Sequence, residues 1–186
     1  MVPLTALWAP ILLAAVLVFV ASSILHMVLP FHRNDFKTLP AEDDVMEALR
    51  RFKIPPGDYL MPCAGTPDAM RKPEFVEKMK RGPVALMTIM ESGAPSMGTS
   101  LAWWFVLTVV VGLFAAYVAG RTLPPGAEYL QVFRVTGTVA FIGYALSQWQ
   151  NTIWYKRSAV TTLKVTIDGL VFGLLTGGAF GWLWPR

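Results

Sequence analysis

Residues 165–184 read VTIDGLVFGLLTGGAFGWLW, and this stretch decides the fold. Twenty nearly uninterrupted apolar residues match the thickness of a bilayer's hydrocarbon core when helical. Gly169, Gly173, Gly177 and Gly181 recur every four residues, which lines them along one face of a helix. Small-residue stripes of this kind let helix backbones approach closely where lipid removes the hydrophobic drive for association. The run ends in Trp182 and Trp184, residues that gather at membrane–water boundaries.

Working outward, three further apolar stretches have the same character: about Leu4–Leu29, Leu101–Ala119 and Val135–Ile153. The first carries no Lys, Arg, Asp or Glu, lacks a cationic leader and is too long for a cleaved signal core. It is therefore expected to be a retained anchor. These runs are continuous rather than alternating, which excludes a β-barrel. Composition agrees: 54% of residues are hydrophobic and 15% charged, and mean hydropathy is +0.49. Soluble domains carry roughly 25% charged residues. A single cysteine, Cys63, excludes an internal disulfide.

The expected fold is an all-α membrane protein, a four-span helical bundle with a small α(+β) insertion between helices 1 and 2. Residues 1–30 form helix 1, 31–100 the insertion, and 101–186 helices 2–4 at about 101–119, 135–153 and 165–184. Lys and Arg set its orientation. Thirteen lie in 31–100 and 155–164; only Arg121, Arg134 and Arg186 lie elsewhere. The positive-inside rule puts both loops in the cytoplasm and both termini in the periplasm.

Within the insertion, Glu42, Asp43 and Asp44 precede Val45, Ala48, Leu49 and Phe52 at helical spacing, with Arg50, Arg51 and Lys53 at the far end. Acids first and bases last suit a helix dipole. Thr66-Pro67-Asp68 reads as a cap with proline at the first helical position. Pro73-Glu74 opens a short helix that Gly82-Pro83 stops. The apolar run Val84–Met90 reads as a strand, pairing with 58–62 in a hairpin-like unit.

Several constellations are candidates for function. Gly112, Ala116 and Gly120 on helix 2, and Thr136, Ala140, Gly143 and Ser147 on helix 3, repeat the small-residue spacing of helix 4. The stripes serve packing within the chain or an interface with a second copy or partner subunit. A polar cluster is expected at the cytoplasmic end: His26, Gln148, Asn151, Lys164 and Asp168. Asp168 is the one acid inside an apolar run, and such a carboxylate needs a partner. A pair with Lys164, one turn earlier, is the simplest; a proton or cation relay with His26 is the alternative. Seven of the nine methionines accompany Cys63 and His32 in or beside the insertion, a composition compatible with Cu(I). Yet no CxxC or similar cluster appears, and methionine is a common core filler.

No hydrolase, metalloprotease, P-loop or dinucleotide motif is present. No catalytic, cofactor-binding or metal-binding residue is therefore assigned, and the chain is expected not to be an enzyme. The insertion carries ten bases and ten acids, so no basic face exists to bind nucleic acid.

Thr166-Ile167-Asp168-Gly169-Leu170, the ending Phe180-Gly181-Trp182-Leu183-Trp184-Pro185, and Lys80-Arg81-Gly82-Pro83 before a small apolar strand resemble a group of bacterial four-helix inner-membrane proteins with no assigned function. The resemblance covers most of the layout and implies a bacterial inner-membrane setting but no chemistry. The leading functional expectation is a non-enzymatic accessory or scaffold protein whose insertion binds a partner. A small oligomeric transporter or channel using Asp168 and His26 is the alternative, and soft-metal handling by Cys63 and methionines the third.

Overall fold

The computed structural model describes residues 1–94 and 96–186. Among the described residues, four helices are long and apolar enough to cross a membrane: Trp8–Val28, Met97–Thr122, Tyr129–Tyr155 and Ala159–Trp182. At 1.5 Å rise per residue, their 21–27 residues extend roughly 30–40 Å. The chain divides into two compact units. Met1–Phe36 and Ser96–Arg186 form one, so residues 31–36, assigned from sequence to the insertion, belong with the apolar helices. The insertion from Lys37 forms the other.

Helix α1, Trp8–Ser23, tolerates Pro10 because its first turn needs no amide donor there. Pro30 stops the helix and forces Leu29 into extended backbone, φ −80° and ψ 145°. Leu29 N donates to the Ile24 carbonyl five residues back, at 3.0 Å, so the last turn, Ile24–Val28, widens into a π-helical turn. A short 3-10 turn, Pro30–His32, then folds the chain back.

In the insertion, α2 spans Glu42–Arg51, with Glu47 and Arg50 paired on its surface. Strand β1, Gly57–Met61, runs antiparallel to β2, Ala85–Ile89, with Tyr59 opposite Met87. Thr88 Oγ1 donates to Asp58 Oδ1 across the pair at 2.7 Å. The strands pair as expected, but their connection is no hairpin turn. It contains α3, Pro67–Met70, whose first turn is capped by Thr66, and α4, Pro73–Arg81.

Helix α5, Met97–Thr122, starts at Ser96, whose hydroxyl caps the Thr99 amide. The third apolar stretch begins at Tyr129, earlier than its hydropathy indicates. Helix α6, Tyr129–Ala145, takes in Gln131 and Arg134 on exposed positions, where a long cationic stem reaches away from the core. A 3-10 turn at Leu146–Gln148 leads into α7, Trp149–Tyr155. Helix α8, Ala159–Trp182, starts from the Ser158 cap, also ahead of its apolar run.

Helix α1 packs on α5 and α8, and α6 packs on α5 and α8. The glycine stripe explains the tightest of these contacts. A Cβ at Gly173 would stand 2.9 Å from the Gly137 carbonyl oxygen, at Gly177 2.8 Å from that of Phe133, and at Gly169 2.7 Å from the Ala145 Cβ. Gly181 lies against the Tyr129 ring. The groove on α8 is thus filled by α6 of the same chain, in line with its reading as packing within the chain. Gly112 fits against Ile11, Gly120 against the Val2 carbonyl, and Gly143 against Val111; Ala116 is fully buried. Leu7, Val18, Val132 and Phe180 fill the interior between the helices.

The seven tryptophans divide into two sets. Trp8, Trp103, Trp154 and Trp182 are exposed at helix ends, as an interfacial belt requires. The other three tie the bundle together. Trp104 Nε1 donates to Ser22 Oγ at 2.7 Å, Trp149 Nε1 to Thr166 Oγ1 at 3.0 Å, and Trp184 Nε1 to the Pro124 carbonyl at 3.0 Å.

Candidate functional site

Asp168 sits on α8, 2% exposed, facing the widened end of α1. Two histidines meet it, His26 from the widened turn itself and His32 from the turn that Pro30 imposes. His32 Nε2 stands 2.9 Å from Asp168 Oδ2, and His26 Nε2 3.7 Å from the same oxygen. The two imidazoles stack at 4.2 Å between centroids with 4° between their planes. His32 is nearly buried, whereas the His26 side chain is 48% exposed.

The outer nitrogens of both rings are committed. His26 Nδ1 lies 3.0 Å from the Ser22 carbonyl oxygen, which only accepts, so Nδ1 carries the proton. His32 Nδ1 donates to Asp35 Oδ2 at 2.6 Å. Asp35 receives Lys164 Nζ on its other oxygen at 2.7 Å. Burial pushes the Asp35 carboxyl up. The Lys164 and His32 hydrogen bonds and their charges outweigh this and hold it below the usual carboxylate range. An ionised Asp35 accepts the His32 Nδ1 proton, which fixes the tautomer: when the ring is uncharged, Nε2 carries the lone pair and faces Asp168, as it does in an uncharged His26.

Three polar atoms here have no hydrogen-bond partner among the described residues: His32 Nε2 and both Asp168 carboxylate oxygens. The 2.9 Å approach of Nε2 to Oδ2 lacks the alignment of an N–H···O bond. Two lone-pair-bearing atoms this close, away from water, repel each other unless a positive charge lies between them.

Of the polar cluster expected from sequence, His26 and Asp168 meet directly. Lys164 does not pair with Asp168, as the one-turn spacing suggests; its side chain reaches Asp35 instead. Gln148 and Asn151 bond to each other, Nδ2 to Oε1 at 3.1 Å. They line a cleft of about 320 Å³ that reaches Asp35 past Arg157 and Thr161, and they do not touch Asp168. His32 and Asp35 are absent from the sequence-based cluster. Their signal was the helix stop at Pro30 followed by a His-x-x-Asp spacing, which a single short turn turns into a hydrogen-bonded pair. Cys63 is exposed in the insertion. Met46, Met61, Met70 and Met90 are exposed too. Among the described residues, the group of His, Cys, Asp and Glu able to hold one metal ion is His26, His32 and Asp168, with ligand atoms within 4.8 Å of one another.

Compared with family models, curated proteins and solved structures, the chain matches none.

Proposed function

We propose that the protein is a multi-pass integral membrane protein of the bacterial inner membrane that binds a cation at Asp168 and passes it on, acting as an oligomer. The observation that carries this reading is the convergence of both histidines on the one carboxylate buried in an apolar helix. A carboxylate there is costly without a positive partner, and the lysine nearest in sequence serves Asp35 instead. This moves the weight from the scaffold expected from sequence to cation handling. Membrane insertion is supported by the outward apolar surface: only 28–33% of the most apolar window of each long helix is buried within the chain. The cation-rich loops favour a cytoplasmic location for the Asp168 end. Val18, Val132, Ala140, Phe172 and Phe180 pack the space between the helices of one chain, which favours a pathway between copies.

The test is flux through the full chain reconstituted in proteoliposomes, read with enclosed pH-sensitive and divalent-ion dyes. Wild type should pass a cation. Asp168→Asn, monodisperse in detergent, should fall to background. Equal flux, or no flux in either, would sink the proposal.

A second reading is kept for the insertion. Along α2 and its end, Val45, Leu49 and Phe52 share a face, and no residue of α2 is buried. This supports docking of a partner protein there. Val45→Asp with Leu49→Asp should then abolish a defined, reconstituted complex without changing the flux.

A further inference from the structure

We propose that the cation taken at this centre is a divalent first-row transition-metal ion, held by His26 Nε2, His32 Nε2 and the Asp168 carboxylate; this deepens the cation-handling reading and rests on it. The argument begins with the atoms that hydrogen bonding leaves over. His32 Nε2 and both Asp168 oxygens are buried and unpartnered, and His26 Nε2 faces the same carboxylate. A proton shared between His32 and Asp168 would draw N–H and oxygen into line, and these atoms are not in line. A metal ion asks for something else: several lone pairs aimed at one point. Ligand atoms about 2.1 Å from one ion stand roughly 2.9–3.7 Å apart at angles between about 90° and 125°. The two distances to Asp168 Oδ2 are 2.9 and 3.7 Å.

The surroundings match a metal centre's outer layer. A ligating histidine ordinarily donates its second N–H to a carbonyl or carboxylate, which fixes its tautomer and makes the ligating nitrogen more basic. His26 does so to the Ser22 carbonyl and His32 to Asp35, and Asp35 is itself oriented by Lys164. Lys164 thus directs Asp35 without competing for Asp168. Two imidazoles and one carboxylate favour Zn²⁺, Fe²⁺ or a similar ion. The set lacks the sulfur that selects Cu(I) and the all-oxygen shell of Mg²⁺ or Ca²⁺. Three protein ligands leave a coordination position open, as release of the ion requires.

Parallel stacked rings aim their lone pairs in parallel, so capture turns His26 out of the stack. His26 has the room to do this, turning about its Nδ1 bond to the Ser22 carbonyl: it is half exposed and sits on the widened turn, while His32 is nearly buried and held by Asp35.

The experiment is equilibrium titration of the full chain, purified in mild detergent and stripped with chelator, with Zn²⁺ or Co²⁺ alone. One ion per chain is expected, with the visible absorption of low-coordinate Co²⁺. His32→Ala and Asp168→Asn should weaken binding at least ~100-fold, and Asp35→Asn, which only orients His32, by about 10–100-fold. Cys63→Ser should bind like wild type, and millimolar Mg²⁺ should not compete. Absence of saturable binding, or wild-type affinity in both His32→Ala and Asp168→Asn, overturns the proposal. Should Asp168→Asn fail to fold, His26→Gln at its half-exposed position decides: weakened binding supports the site and unchanged binding overturns it. The two readings fail separately. No metal binding, together with Asp168-dependent flux, leaves a proton as the cation and removes only this inference. Metal binding without flux keeps the site and removes the carrier role.

Discussion

Lys164 Nζ lies 2.7 Å from Asp35 Oδ1, a residue 129 positions away, while Asp168 one turn along its own helix is left to the histidines. This single choice of partner separates two charges that helical spacing would have paired. It makes Asp35 the anchor of the turn that carries His32, and it keeps Asp168 open to a cation from outside the bundle.

Removing either end of that link strands the other charge in a nearly buried place. Lys164→Met should lower stability by about 2–3 kcal/mol, somewhat less than a fully buried pair because Lys164 keeps some exposure. Asp35→Asn combined with Lys164→Met should recover part of the loss. Thermal unfolding of the three variants in detergent measures the coupling. Strict additivity would show that the two side chains do not depend on each other.

The contact between α6 and α8 predicts a sharp positional contrast. Gly177→Leu places a branched side chain where a Cβ already meets the Phe133 carbonyl at 2.8 Å, and should cost about 1–3 kcal/mol or more. Leu174→Ala, on an exposed position of the same helix, should change little. Melting and size-exclusion profiles read the contrast, and a normal Gly177→Leu protein would mean that α6 and α8 are not in contact.

Trp149→Phe should keep its apolar packing and lose the bond to Thr166, a loss of about 1 kcal/mol. Trp154→Phe, exposed and unbonded, is its control in the same melting assay. Equal melting temperatures would assign Trp149 to the interfacial belt rather than to the interior.

The charge distribution predicts sidedness. A reporter fused after Arg186 should read periplasmic and one inserted near Gly65 cytoplasmic, following the excess of Lys and Arg in the two loops. Opposite signals in the reverse sense would defeat the charge argument, and the same signal from both would require an even number of spans between them instead of three.

The sequence alone determined the elements. Apolar runs of about 20 residues locate four long helices because backbone satisfaction and hydrophobicity are local properties. The Thr66-Pro67 cap, the acid-to-base polarity of Glu42–Arg51 and the glycine spacing on α8 are legible for the same reason. Helix ends were less so: Tyr129–Arg134 and Ala159–Lys164 are helical despite polar residues, because intrahelical bonds continue past the apolar stretch. Tertiary structure alone decided the partners. Periodicity shows that Gly173 and Gly177 share a face but not that α6 covers it. It shows that Asp168 needs a positive partner but not which one. His32 reaches Asp168 only because Pro30 turns the chain while α1 packs on α8. Such a meeting depends on how helices distant in the chain settle against each other, and no local spacing in the sequence encodes it.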